Sequence, residues 1–226
     1  MKILDQKMTD STTPAVKNTQ THPTETIFIV EDDPHQSDYL TVLLESAHYN
    51  VKTYTEPDAF LNNCQPDQRG CVISDMLMPG MTGLEMLNSF SKYNITLPVI
   101  FITSHADIAM VKTALKQGAV DFLEKPVNTV ELLTAVQDAL NQDAQIHARI
   151  QQIEATQSRL KELTAREREI LDLLVAGHSN KQLARQLDLS LRTVETHRNN
   201  ILKKMSVGSF SELLRMLLAS PEPHSA

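Results

Sequence analysis

The chain has 226 residues, 41% of them hydrophobic and 22% charged, with a formal net charge of −7, which leaves room for two modest domains of an ordinary folded protein. Its two cysteines, Cys64 and Cys71, are too few for a disulfide framework or a zinc site, and no apolar run approaches the roughly 18 residues that span a bilayer. Residues 159–218 hold eleven Lys/Arg against seven Asp/Glu, a net of +4, and the rest holds ten against twenty-one, a net of −11; only the back half therefore suits nucleic acid.

In chain order, residues 1–24 are rich in Thr, Ser, Gln and Pro without periodicity and read as a disordered leader. Met1-Lys2-Ile3-Leu4 is followed at once by Asp5, so no signal-peptide core is expected and the protein should be cytoplasmic. From Thr26 to about Gln142, short β-branched runs alternate with segments of helical apolar spacing, such as Tyr39, Val42, Leu43 and Leu84, Leu87. Pro34 fits a first helical turn and Gly118 a helix stop. Five such strand–helix repeats imply an α/β domain over residues 25–142, with a doubly wound parallel five-stranded sheet.

Four of the runs end on reactive polar residues. Ile27–Val30 runs into Glu31-Asp32, Cys71–Ser74 into Asp75, Leu97–Ile102 into Thr103-Ser104, and Val120–Glu124 into Lys125-Pro126. In a parallel sheet the carboxyl ends of neighbouring strands share one crevice, where ligands of open α/β folds bind. Two or three carboxylates, a hydroxyl and an ammonium meeting there suit a divalent cation and a phosphoryl group, and Mg²⁺ takes one or two carboxylates while sharing phosphate oxygens. Asp75 is the nucleophile candidate, because the turn Pro79-Gly80-Met81-Thr82-Gly83 leaves its strand end open. Thr103 and Lys125 would hold phosphate oxygens. An acidic pair alone often just favours a helix N-terminus; the four successive strand ends together argue for the site. Asp33 reads as the cap of the next helix.

From Glu131 to Leu163 no Gly or Pro interrupts the chain. Val136, Ala139, Asp143, Ile146, Ile150, Ile153, Gln157 and Leu160 form a heptad seam blemished by Asp143 and Gln157. Residues 143–160 are thus a linker helix, and either a coiled coil or a lone amphipathic helix accounts for them. Helices are expected at 165–175, 180–187, 191–205 and 210–218, with Ser190 and Ser209 at N-cap positions. They make a small all-α domain at 161–220, followed by a tail at 221–226. Gly177–Leu187 and Asp188–His197 read as helix, tight turn, helix, whose second helix enters the major groove. Val194, Ile201, Leu202 and Met205 face inward, leaving Glu195, Thr196, Arg198, Asn199 and Lys203 outside.

Val30-Glu31-Asp32-Asp33, Asp75–Gly83, Ile102-Thr103-Ser104-His105 and Asp121–Pro126 resemble the receiver domain of a two-component response regulator, which implies a flavodoxin-like fold. Thr103, His105, Asp107 and Gly118–Phe122 resemble the FixJ branch. The resemblance implies phosphorylation of Asp75 by a sensor histidine kinase. It also implies Mg²⁺ on Asp32, Asp75 and the main-chain carbonyl of Leu77, with Glu31 in the outer shell. Thr103 and Phe122 would be the switch pair, Lys125 the phosphate-binding amine, and Lys125-Pro126 a cis bond. One departure is Glu31, where many receivers have Asp. A phosphatase with a strand-end Asp nucleophile would need a second Asp two positions on, where Leu77 stands.

Leu163-Thr164, Arg166-Glu167, Glu169-Ile170-Leu171 and Thr193-Val194-Glu195, His197, Asn200-Ile201, Lys204-Met205 resemble the LuxR-type output domain. That implies base contacts from Glu195, Thr196 and Asn199. Ser179, Asn180, Lys181, Arg192, Thr193, Arg198, Lys203 and Lys204 are expected on phosphates, which position the protein without specifying sequence. The expectation is therefore a transcriptional regulator that catalyses only its own phosphorylation. It would dimerise when phosphorylated, pairing through residues 107–117 and 120–124, and bind double-stranded promoter DNA with RNA polymerase as a further partner and no membrane. Gly208–Leu213 faintly resembles regulators of tetrathionate or thiosulfate respiration.

Overall fold

A computed structural model describes residues 25–104 and 108–219. The leader, the tail, His105 and Asp107 lie outside the described residues. The chain divides into two units, the first ending at Asp143 and the second beginning at Ala144.

The first unit runs β1 (Thr26–Val30), α1 (Pro34–Ser46), β2 (Asn50–Tyr54), α2 (Pro57–Asn63), β3 (Gly70–Asp75), α3 (Gly83–Tyr93), β4 (Val99–Thr103), α4 (Ile108–Lys116) and β5 (Asp121–Glu124). All strand pairs are parallel, in the order β2-β1-β3-β4-β5. Successive side chains of a strand point to opposite faces, so the apolar runs feed two cores. Phe28, Val30, Val72 and Phe101 pack with Phe60, Met86 and Phe90 on one face. Ile27, Ile29, Ile73, Ile100 and Ile102 pack with Leu40, Leu44, Leu132 and Val136 on the other. Burial on both faces is why the central strands read as unbroken apolar runs. Strand β2 lies at the edge and alternates only weakly, with Val51 and Tyr54 half-buried among exposed neighbours.

Pro34 opens α1, and the Asp33 carboxylate caps it by accepting from the backbone N–H of His35 at 2.9 Å. Thr82 caps α3 in a reciprocal box with Glu85. Gly83 lets that helix start against the strand end, since a Cβ there would collide with the carbonyl oxygen of Asp75.

Helix α5 (Thr129–Lys161) spans the boundary between the units. Asp143, the blemish in the heptad pattern, is fully buried, and Arg69 Nε donates to its carboxylate at 2.6 Å. Of the other seam positions, Val136 and Ala139 are buried, and Ile146, Ile150, Ile153, Gln157 and Leu160 are half-buried. Leu160 packs on the core of the second unit itself, and Ile153 lines a small cavity with Ala219.

The second unit continues with α6 (Ala165–Val175), α7 (Asn180–Gln186), α8 (Leu191–Lys204) and α9 (Phe210–Ala219). Its core is Ile170, Leu171, Leu174, Leu183, Val194, Ile201, Met205 and Leu213. Helices α7 and α8 are joined by residues 187–190, where Asp188 adopts φ 51°. Ser179 and Ser190 cap them through their hydroxyls.

Candidate functional site

Sheet register assembles the first site. Val30 lies level with Ser74, so Glu31 follows β1 at the height of Asp75. Asp75 lies level with Ile102, and Thr103 with Glu124, so Thr103 and Lys125 end their strands on the same rim. Four segments far apart in sequence thus deliver their polar ends to one place.

The Lys125 ammonium donates to Asp75 Oδ2 at 2.6 Å and to Glu31 Oε2 at 2.9 Å. All three side chains are nearly out of water, at 11% exposed for Lys125, 12% for Asp75 and 2% for Glu31. Burial, aided by the neighbouring Asp75 charge, pushes the Glu31 carboxyl above its usual range despite Lys125. Burial also works against the Lys125 ammonium, but its bonds to Asp75 and Glu31 outweigh that and hold its pKa above the usual lysine value. Asp75 Oδ1 accepts from the backbone N–H of Leu77 at 3.0 Å.

Asp32 is exposed at the mouth, and oxygens of Glu31, Asp32 and Asp75 lie within 4.8 Å of one another. Three hard oxygen donors at that spacing fit Mg²⁺, which binds through few carboxylates and keeps waters. One Glu31 oxygen is engaged by Lys125. Thr103 is buried, Phe122 is half-buried against the core, and the Lys125–Pro126 peptide is cis. An open groove lined by Gln36, Tyr39, Ser104, Lys125, Pro126 and Val127 adjoins the cluster.

The second candidate site is the face of α7 and α8. Lys181, Arg192, Glu195, Thr196, Asn199 and Lys203 are exposed there, as expected. Five other expected phosphate contacts, Ser179, Asn180, Thr193, Arg198 and Lys204, make hydrogen bonds within the unit. Arg198 is half-buried, donates to Asn180 Oδ1 at 2.8 Å and lies over the Phe210 ring at 5.5 Å. Lys204 donates to the buried Glu167 carboxylate at 2.7 Å. The hydroxyls of Ser179 and Thr193 take part in helix capping.

A buried carboxylate–lysine cluster at the carboxyl ends of a 2-1-3-4-5 parallel sheet, followed by a helix-turn-helix unit, defines a receiver joined to a DNA-binding output. Residues 27–137 match the response regulator receiver domain, and residues 161–217 match the bacterial regulatory proteins of the luxR family. FixJ of Bradyrhizobium diazoefficiens is 38% identical over 195 residues, 85% of this chain and 94% of that protein. The tetrathionate response regulatory protein TtrR of Salmonella typhimurium is 37% identical over 87% of this chain and 95% of its own. Among solved structures, the response regulator StyR superposes with a TM-score of 0.73 at 36% identity, covering 85% of this chain and 98% of that one. Full-length FixJ from B. japonicum gives 0.52 at 35% identity, covering 87% and 97%. The chain belongs to the FixJ-type two-component response regulators with a LuxR-type helix-turn-helix output. No helix among the described residues is long and apolar enough to cross a membrane.

Proposed function

We propose that this protein is a transcription factor switched on by phosphorylation of Asp75 by a sensor histidine kinase, over a receiver spanning residues 25–142. The observation that carries the reading is the Asp75 carboxylate, held at 2.6 Å by Lys125 with Glu31 and Asp32 alongside. In the transfer, an Asp75 oxygen attacks the phosphorus of a phosphohistidine. The P–N bond breaks, its electron pair stays on the imidazole, and an acyl phosphate forms. Lys125 passes from the Asp75 carboxylate to a phosphoryl oxygen, and Thr103 supplies a hydroxyl to another. Asp32, Asp75 and the Leu77 carbonyl would hold Mg²⁺, with Glu31 outside, and the ion would neutralise phosphoryl charge.

The new group adds about −1.5 to −2 charges, drawing Thr103 inward with Phe122 following. That alters the surface of α4 and β5, where two receivers pair. A dimer then presents two α8 helices to half-sites about one DNA turn apart. Glu195, Thr196 and Asn199 read bases, while Lys181, Arg192 and Lys203 hold phosphates. RNA polymerase meets the dimer at the promoter, in the cytoplasm. Identities of 38% to FixJ, 38% to TmoT and 37% to TtrR are equally compatible with several inputs, the tetrathionate response among them.

Incubation with Mg²⁺ and acetyl phosphate should give one hydroxylamine-sensitive adduct on the peptide bearing Asp75, and none on Asp75→Asn. Undiminished labelling of Asp75→Asn contradicts the assignment.

A further inference from the structure

Two capping boxes in this chain have the same chemistry and different surroundings. At α3, the Glu85 carboxylate accepts from the Thr82 N–H at 2.9 Å and from its hydroxyl at 2.8 Å, on an exposed surface. At α6, the Glu167 carboxylate accepts the equivalent bonds from Thr164 at 2.9 and 3.0 Å, but Glu167 is 4% exposed. Capping alone does not require burial; a buried carboxylate needs a compensating charge.

That charge comes from Lys204, the last residue of α8. Its ammonium lies 2.7 Å from Glu167 Oε2 and also donates to the main-chain oxygen of Glu162 at 3.1 Å. One residue on, Arg159 Nη1 donates to the carbonyl of Met205, the fully buried C-cap of α8, at 3.3 Å. The carboxyl end of α8 is therefore tied to the last turns of α5 and the first turn of α6. A cation there also meets the negative end of the helix dipole.

We propose that Lys204 is a positioning residue rather than a phosphate contact: with Glu167 and Arg159 it forms a joint that sets the angle of α8. The joint rests on the DNA-binding reading above. The outward face of α8, from Arg192 to Lys203, is aimed by a lever whose far end is fixed at Lys204. A shift of the last turn of α5 moves Glu162 and Arg159, and through them α8.

The test measures DNA affinity of the full-length protein at several salt concentrations, well below each variant's melting midpoint. Glu167→Gln keeps an oxygen for Thr164 but loses the charge that holds Lys204. Removing a negative charge from a DNA-binding domain by itself tightens binding, because phosphate repulsion falls. The joint requires the opposite sign, a loss of about 2- to 30-fold on all sequences alike. Lys204→Met should give a similar loss with an unchanged log–log salt slope, whereas a phosphate contact lowers that slope by about 0.9. The double variant should bind no worse than the weaker single one, and Lys204→Arg should restore binding. Should Lys204→Met fail to fold, Glu167→Gln and Lys204→Arg decide by sign and by rescue.

A reduced slope in Lys204→Met together with tighter binding by Glu167→Gln would overturn the joint. So would unchanged affinity in both folded variants with a lowered melting midpoint, which marks a pair serving stability alone. A wild type that binds no DNA would instead overturn the DNA-binding reading itself, and the joint with it.

Discussion

Each unit of this protein buries a glutamate against a lysine, and the two pairs differ in what else they touch. Glu167 accepts three hydrogen bonds on one oxygen, from Lys204, the Thr164 N–H and the Thr164 hydroxyl. Burial alone would raise its pKa, but those bonds outweigh burial and hold the carboxyl below its usual range. Among the described residues, Glu31 has only Lys125 and a long bond from the Asp33 N–H at 3.4 Å, and it shares that lysine with Asp75. Burial prevails there, and the Glu31 carboxyl is held above its usual range. One pair is satisfied and behaves as a fastener. The other sets two carboxylates, Glu31 and Asp75, against one shared cation.

Removing each lysine should expose that difference. Lys125→Met leaves Glu31, Asp32 and Asp75 facing one another, with a cost of about 3–5 kcal/mol for breaking a buried pair. Added Mg²⁺ should restore most of the loss in a thermal melt, because the ion replaces the missing charge. Lys204→Met should cost about 1–3 kcal/mol, the range for a polar group left unsatisfied, and Mg²⁺ should restore none of it. Equal metal rescue of both variants would erase the distinction between the pairs.

A smaller effect concerns the cap alone. Thr164→Ala removes an N-cap hydroxyl and should cost about 1 kcal/mol, read as a lower midpoint of the second unit in calorimetry. The smallest effect is on pH dependence. Glu167 has a folded pKa below its unfolded value of about 4.5, so the folded state holds the proton less tightly. Its stabilisation is present above that pH and lost as pH falls through the folded value. Glu167→Gln should flatten the acid limb of the stability curve below about pH 4.5, and an unchanged limb would show that the pair contributes nothing there.

Much of this was legible in the sequence, because the central strands are buried on both faces and end abruptly in Glu31, Asp75, Thr103 and Lys125. The four output helices fall where capping residues and apolar spacing place them. The path of β2 was not legible: an edge strand with polar Asn50, Lys52 and Thr53 offers no apolar run. Nor was the inward turn of Arg198 and Lys204. Basic residues on a short helix default to the surface, and their partners Asn180 and Glu167 lie 18 and 37 residues upstream. Asp143 read as a flaw in a coiled-coil seam, since its partner Arg69 is 74 residues away. For Arg198, Lys204 and Asp143 a local pattern was overruled by one partner distant in sequence.

The central claim is that phosphoryl chemistry at Asp75 governs DNA binding by α8. Affinity of the full-length protein for a DNA site selected from a random library, measured with and without acetyl phosphate and Mg²⁺, addresses it most directly. The account predicts that phosphodonor tightens binding by about 5- to 150-fold, the usual range of coupling between two sites, and that Asp75→Asn shows no response. An equal gain in Asp75→Asn, or none in a wild type proven to be phosphorylated, would contradict it.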